Sequence, residues 1–67
     1  MAVYKMTELV GTSSVGFEDA IREAVERASK TIRHIGWFEV KEQRGLVKDG
    51  KVVEFQIKVQ IGFRVDE

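Results

Sequence analysis

Trp37, Gln56 and Arg44 are the side chains of this 67-residue sequence with distinctive chemistry to offer. An exposed indole is a flat, electron-rich surface on which a planar ligand can stack. A glutamine amide carries both a donor and an acceptor, so it can meet the mixed edge of a heterocycle. An arginine is a permanent cation suited to phosphate or carboxylate. Each residue also has a plainer use. The tryptophan can pack across strands or fill a subunit contact, the glutamine can sit solvated on a strand, and the arginine can pair with a carboxylate.

Other residues suggest less. His34 follows a helical stretch, where a histidine serves as a partner of the helix C-terminus. Gly11-Thr12-Ser13-Ser14 precedes the same stretch and can hold a phosphate, but it lacks the lysine of a P-loop. Capping by Ser13 or Ser14 explains it better. The chain has no Cys, no Pro and one His. These counts exclude disulfides, thiolate metal sites and N-terminal-proline catalysis, and argue against a His-based zinc site within one chain. No carboxylates pair around a reacting bond, and no nucleophile has an identifiable base. The expectation is a binding protein and not an enzyme.

The elements that must position these side chains follow from periodicity. Val3 to Val10 is β-prone and bounded by Gly11, and Gly11 to Ser14 is expected to turn into a helix. Phe17, Ile21, Ala24, Val25, Ala28 and Ile32 form one apolar stripe at helical spacing, predicting a helix from Val15 to about Arg33. Glu18 and Asp19 at its start, and Lys30 and Arg33 near its end, suit the helix dipole. Gly36–Lys48 and Lys51–Val65 are expected to form a hairpin around Asp49-Gly50, a turn pair that tolerates positive φ at both positions. In the last strand Val53, Phe55, Ile57, Val59, Ile61, Phe63 and Val65 face one way, and Glu54, Gln56, Lys58, Gln60 and Arg64 the other. The fold class is α+β, a β-α-β-β chain with a three-stranded antiparallel sheet partly wrapped around one helix, in a single domain 1–67.

The two-residue turn fixes a register in which paired positions sum to 99. Phe38 then faces Ile61, Val40 faces Val59 and Leu46 faces Val53, all on the core side. Trp37 falls on the polar face opposite Gly62, which leaves an open platform. Gln56 shares that face opposite Gln43, about six residues or roughly 20 Å from Trp37. The two can meet around one ligand only if different subunits supply them. Arg44 has the parity of Phe38 and points to the opposite side, so it needs a second subunit or a bulge at Gly45.

Size points the same way. A chain this short buries only about 60% of the surface it exposes unfolded. The last strand runs to roughly 50 Å, whereas the helix covers about 28 Å. The uncovered apolar strip marks an interface, so a closed homo-oligomer is expected. Lys plus Arg and Asp plus Glu each number 11. The balance argues against a protein built to hold nucleic acid or an anionic membrane. No apolar run approaches a membrane span and the start does not read as a signal peptide, so a cytoplasmic protein is expected.

Tyr4-Lys5, Glu8-Leu9-Val10-Gly11-Thr12-Ser13, Thr31-Ile32-Arg33, Trp37-Phe38-Glu39-Val40, Arg44-Gly45, Glu54-Phe55-Gln56, Val59 and Gly62-Phe63-Arg64 form an ordered set spread over essentially the whole length. In that set the sequence resembles a known family, the bacterial dodecins. The resemblance implies a β-α-β-β fold in a hollow homododecamer of 23 symmetry. It also implies flavins held as stacked pairs between tryptophans of neighbouring subunits, for storage and protection. FMN, riboflavin or FAD would be the ligand, and some members also bind coenzyme A. By position, Trp37 would be the stacking residue, Gln56 would bond the polar edge of the isoalloxazine, and Arg44 would lie beside the flavin. Gly36 and Phe55 depart from the usual pattern, which has a larger residue and a tyrosine there.

Overall fold

The cleanest alternation in the sequence becomes the centre of the sheet. In a computed structural model describing residues 1–65, Lys51–Arg64 is strand β3, with β1 (Tyr4–Ser13) on one side and β2 (Ile35–Lys48) on the other. Both neighbours run antiparallel to it. Helix α1 (Phe17–Ala28) follows β1, which gives the expected β-α-β-β architecture. The last two residues of the expected 1–67 domain lie outside the described residues.

The core is where α1 lies on β3. Ile57, Val59 and Ile61 are fully buried beneath Ala20, Ala24 and Ala28. Each such aliphatic side chain contributes about 1.5–3 kcal/mol on burial. Three alanines at intervals of four form a smooth ridge, so the helix can sit close to the sheet. Ala20 was absent from the expected stripe, yet it is as deeply buried as any residue. Leu9, Phe17, Ile21, Ile32 and Ile35 pack around this core, and Phe17 meets Phe55 edge-on with ring centroids 5.0 Å apart.

Three expected boundaries move. Gly11, Thr12 and Ser13 continue β1, pairing with Ile57, Gln56 and Phe55, and do not turn. The length of β3 offers them a ladder, and backbone pairing overrides their turn preference. Ser13 still prepares the helix. Its Oγ accepts from the backbone N–H of Val15 at 2.9 Å and Gly16 at 3.3 Å and donates to Asp19 at 2.7 Å. The cap position itself is Gly16, with no side-chain cap. At the other end α1 stops at Ala28, five residues before Arg33. The Ser29 hydroxyl donates to the Glu26 carbonyl at 2.8 Å, and the Thr31 and Ile32 N–H groups both turn to the Ala28 carbonyl. The Ser29 hydroxyl bond and the three-residue Thr31–Ala28 bond compete with helix continuation.

His34 is therefore six residues beyond the end of the helix. It adopts a left-handed φ of 63° and swings the chain into β2. Its carbonyl accepts from the Arg64 N–H at 3.1 Å, and its Nδ1 lies 3.3 Å from the Arg64 guanidinium. On the outer face of α1, Glu18 bonds Arg22 at 2.9 Å and holds the guanidinium proton more tightly than usual. Among the described residues no helix is long and apolar enough to cross a membrane.

The hairpin turns where expected, with Asp49 at φ 53° and Gly50 at φ 76°. It reaches far beyond α1, giving the chain an extent of 51 × 20 × 13 Å. Ile35 is half-buried and every later residue of β2 is exposed, including Phe38, Val40, Leu46 and Val47.

Gly11 is the tightest contact between β1 and α1. A Cβ placed there would overlap the Ala20 carbonyl oxygen and lie 2.9 Å from the Ala24 methyl. Gly11→Ala should destabilise the fold by about 1–3 kcal/mol through overpacking. A thermal melt at fixed protein concentration checks this, and an unchanged melting temperature would show that α1 can lift off at little cost.

Candidate functional site

The polar face of the sheet is built on the even positions of β3: Glu54, Gln56, Lys58, Gln60 and Gly62. Trp37 pairs with Gly62, as the turn-derived register requires, and Phe38–Ile61 and Val40–Val59 also agree with it. The indole lies directly on the glycine, because a Cβ on Gly62 would fall among its ring atoms. A strand residue with a side chain would hold the ring away from the sheet. Trp37 nevertheless remains 42% exposed, so its outer side is open.

Tyr4 completes this end of the face and was not expected from the sequence to be a site residue. It stands on β1 opposite Arg64, while Trp37 stands on β2 opposite Gly62. The two rings come from the flanking strands and meet over the gap that Gly62 leaves, with centroids 5.0 Å apart and planes tilted by 54°. The position of Tyr4 depends on the β1–β3 register, and no tight turn links those strands to announce it.

The other end carries Gln56 and Arg44, and here the register differs from expectation. Gln56 faces Arg44, not Gln43, and Leu46 faces Glu54, not Val53. Two irregularities produce this. One lies between Leu46 and Val47, where Val53 is extra on β3, and the other between Val40 and Glu42, where Lys41 is extra on β2. Each inserted residue reverses which side of the strand the following residues occupy. The sum of paired positions is therefore 100 from Glu42 to Leu46 and 99 on either side, and a further irregularity at Gly36 lowers it to 98 at Ile35–Phe63. Arg44 is thereby brought to the same face as Trp37 within one chain. The bulge responsible is at Lys41, not at Gly45.

The side chains of this end form a continuous polar chain across three strands. Arg44 Nε donates to Gln56 Oε1 at 2.8 Å, and Arg44 Nη1 to Glu42 at 3.2 Å. Gln56 Nε2 donates to Glu54 at 2.8 Å. Lys58 lies 3.6 Å from Glu8 and 3.8 Å from Glu42, and Gln60 donates to Glu8 at 3.3 Å. Such exposed pairs add little stability individually, but they hold the side chains in defined places. Trp37 and Gln56 remain six residues apart along β3, roughly 20 Å. Among the described residues no group of three or more His, Cys, Asp or Glu side chains is placed to hold a metal ion.

The chain's relatives match both sequence and fold. The dodecin family model matches residues 3–66. Dodecin of Thermus thermophilus is 54% identical over 97% of this chain and 94% of its own length. Calcium dodecin of Mycobacterium tuberculosis is 34% identical over 97% of this chain and 92% of its own. The solved dodecin of Streptomyces coelicolor superposes with a TM-score of 0.95 at 47% identity, covering 98% of this chain and 94% of that one. The chain belongs to the dodecin family.

The fit of the indole on Gly62 has a direct test. Gly62→Ala should push Trp37 off the sheet, shifting its fluorescence emission and altering the near-UV circular dichroism, while the far-UV spectrum keeps its strand signal. Unchanged tryptophan spectra would mean that the ring does not rest on this glycine.

Proposed function

We propose that this member of the dodecin family is a non-catalytic flavin-binding protein that stores and shields FMN or riboflavin. The observation that carries the reading is the indole of Trp37 resting against Gly62 while remaining 42% exposed. An isoalloxazine is planar and matches such a surface. Stacked on an electron-rich indole, its excited state is quenched before photochemistry proceeds, which is the protective role.

Gln56 is the residue for the polar edge of the ring system, and Arg44 for the charge nearby. Their hydrogen bond at 2.8 Å places these two together. Their separation from Trp37 supports a ligand shared between copies, with one chain supplying the stack and another the polar contacts. The exposed Phe38, Val40, Leu46, Val47, Val52 and Val53 support the same assembly, since a neighbouring copy would cover apolar surface that α1 does not reach. The assembly we propose is the homododecamer of 23 symmetry.

Titrating FMN into the protein while measuring mass by light scattering tests this. Quenching that saturates near one flavin per chain on a twelve-chain particle is expected. A colourless assembly that leaves FMN emission unchanged would leave a cage, or a coenzyme A-binding assembly, in its place.

Trp37→Ala should keep the assembly and weaken flavin binding at least about a hundredfold, because stacking and the area buried with it are both lost. Trp37→Phe should retain part of the affinity and quench less. A Trp37→Ala protein that falls apart while its subunits still quench flavin would make the tryptophan a structural residue. Arg44→Ala should weaken FMN more than riboflavin, because only FMN carries the phosphate, and added salt should narrow the difference. Equal losses for the two ligands would place Arg44 against the ring and not the phosphate.

A further inference from the structure

We propose that Glu54 is a positioning residue that fixes the direction of the Gln56 amide. On this view the order of donor and acceptor offered to a flavin edge is set before the ligand arrives. The proposal rests on the flavin reading for its ligand, but its structural half stands on the polar face alone. A glutamine amide has two orientations of nearly equal shape that exchange its oxygen and nitrogen. Left alone on a strand, it would present donor and acceptor in either order.

Here both ends of the amide have a partner of fixed character. Arg44 can only donate, and its Nε meets one end of the amide at 2.8 Å. Glu54, as a carboxylate, can only accept, and it meets the other end at 2.8 Å. Turning the amide over would set its nitrogen against the guanidinium and its oxygen against the carboxylate, breaking both bonds and leaving two repulsive contacts. Charge-assisted bonds of this kind are the stronger class, so the clamp selects one orientation from both sides. Arg44 is itself steadied from behind by Glu42 at 3.2 Å.

The clamp does not exhaust the amide. The oxygen accepts once and keeps a second lone pair, and the nitrogen donates once and keeps a second proton. One acceptor and one donor remain, in a defined order, for a heterocycle edge that offers a donor beside an acceptor. Glu54 sits two residues from Gln56 on the same strand, so both project from one face of β3. The bulge at Lys41 brings Arg44 opposite. The reverse order of donor and acceptor on a ligand would meet like against like, so Glu54 acts on specificity through Gln56 and not by its own contact.

The test is a double-mutant cycle with riboflavin, which lacks the phosphate and so does not respond to a lost carboxylate charge through that group. Glu54→Ala should weaken riboflavin about three- to tenfold, because the ligand must then order a Gln56 side chain that only Arg44 still holds. Glu54→Gln, which keeps the shape and can still accept, should weaken it less, about two- to threefold. In a Gln56→Ala background either substitution should change affinity by less than about twofold, because the group that Glu54 orients is gone. Equal losses in both backgrounds, or no loss with Gln56 present, would overturn the proposal. In the ligand-free protein, the side-chain amide resonances of Gln56 should shift on Glu54→Gln, and unmoved resonances would overturn the clamp directly. If the wild-type protein fails to quench riboflavin, the flavin reading falls, and those amide resonances still decide whether Glu54 holds Gln56.

Discussion

Burial of Ile57, Val59 and Ile61 under the alanine ridge of α1 is the contact on which the rest depends. It orients β3, which among the described residues is the only strand bonded on both sides. Once its odd positions face the helix, its even positions must face away, because strand side chains alternate. Glu54, Gln56, Lys58, Gln60 and Gly62 thus form the polar face as the necessary complement of the core. A one-residue slip of β3 would place Gln56 and Lys58 under the helix and expose the aliphatic row. The cost of burying those polar groups keeps the register in place.

Within that constraint the two ends of the polar face differ in kind. At one end, a missing side chain lets two rings from flanking strands meet over the central one. At the other, β3 presents Glu54, Gln56, Lys58 and Gln60, and these charges and amides pair with one another and with Glu8, Glu42 and Arg44. The first end offers area and the second offers direction. Because the hydrogen bonds at the second end already exist in a single chain, less side-chain freedom remains to be lost when a partner is bound.

Much of this was legible in the sequence, and the gaps have physical causes. Asp49-Gly50 announced the hairpin, and the alternation from Val53 to Val65 announced which face of β3 is apolar. From those two facts came the pairing of Trp37 with Gly62. The middle of the hairpin was not legible because compensating bulges at Val53 and Lys41 leave the register on either side of them, at the turn and at Trp37–Val40, unchanged. No glycine or proline marks either position, and Gly45, the natural suspect, pairs regularly with Phe55. The place of Arg44 was misjudged for that reason alone. Tyr4 escaped because a long connection, not a turn, separates β1 from β3. The helix end was overextended because Ile32 keeps the apolar stripe in phase and still packs on the core, although the helix ends at Ala28 with Ser29 as its C-cap.

The Lys41 bulge ties the architecture to the site. Without it, β2 would keep the parity of Phe38 from one end to the other, and Arg44 would emerge on the side of the core. There its guanidinium would lie opposite Phe55 among the apolar side chains, away from the amide and carboxylates of the polar face. With it, Arg44 reaches Gln56 and Glu42, and Lys58 lies between Glu42 and Glu8, so the carboxylates on this face have cationic or amide neighbours. The second irregularity, at Val53, restores the alignment needed to close the two-residue turn at Asp49-Gly50. The two insertions lie on opposite strands and cancel along the hairpin. Only the segment between them is shifted, and that segment carries Gln56 and Arg44. A strand pair of uniform register could keep the same turn and the same Trp37–Gly62 contact, but it could not place an arginine beside Gln56.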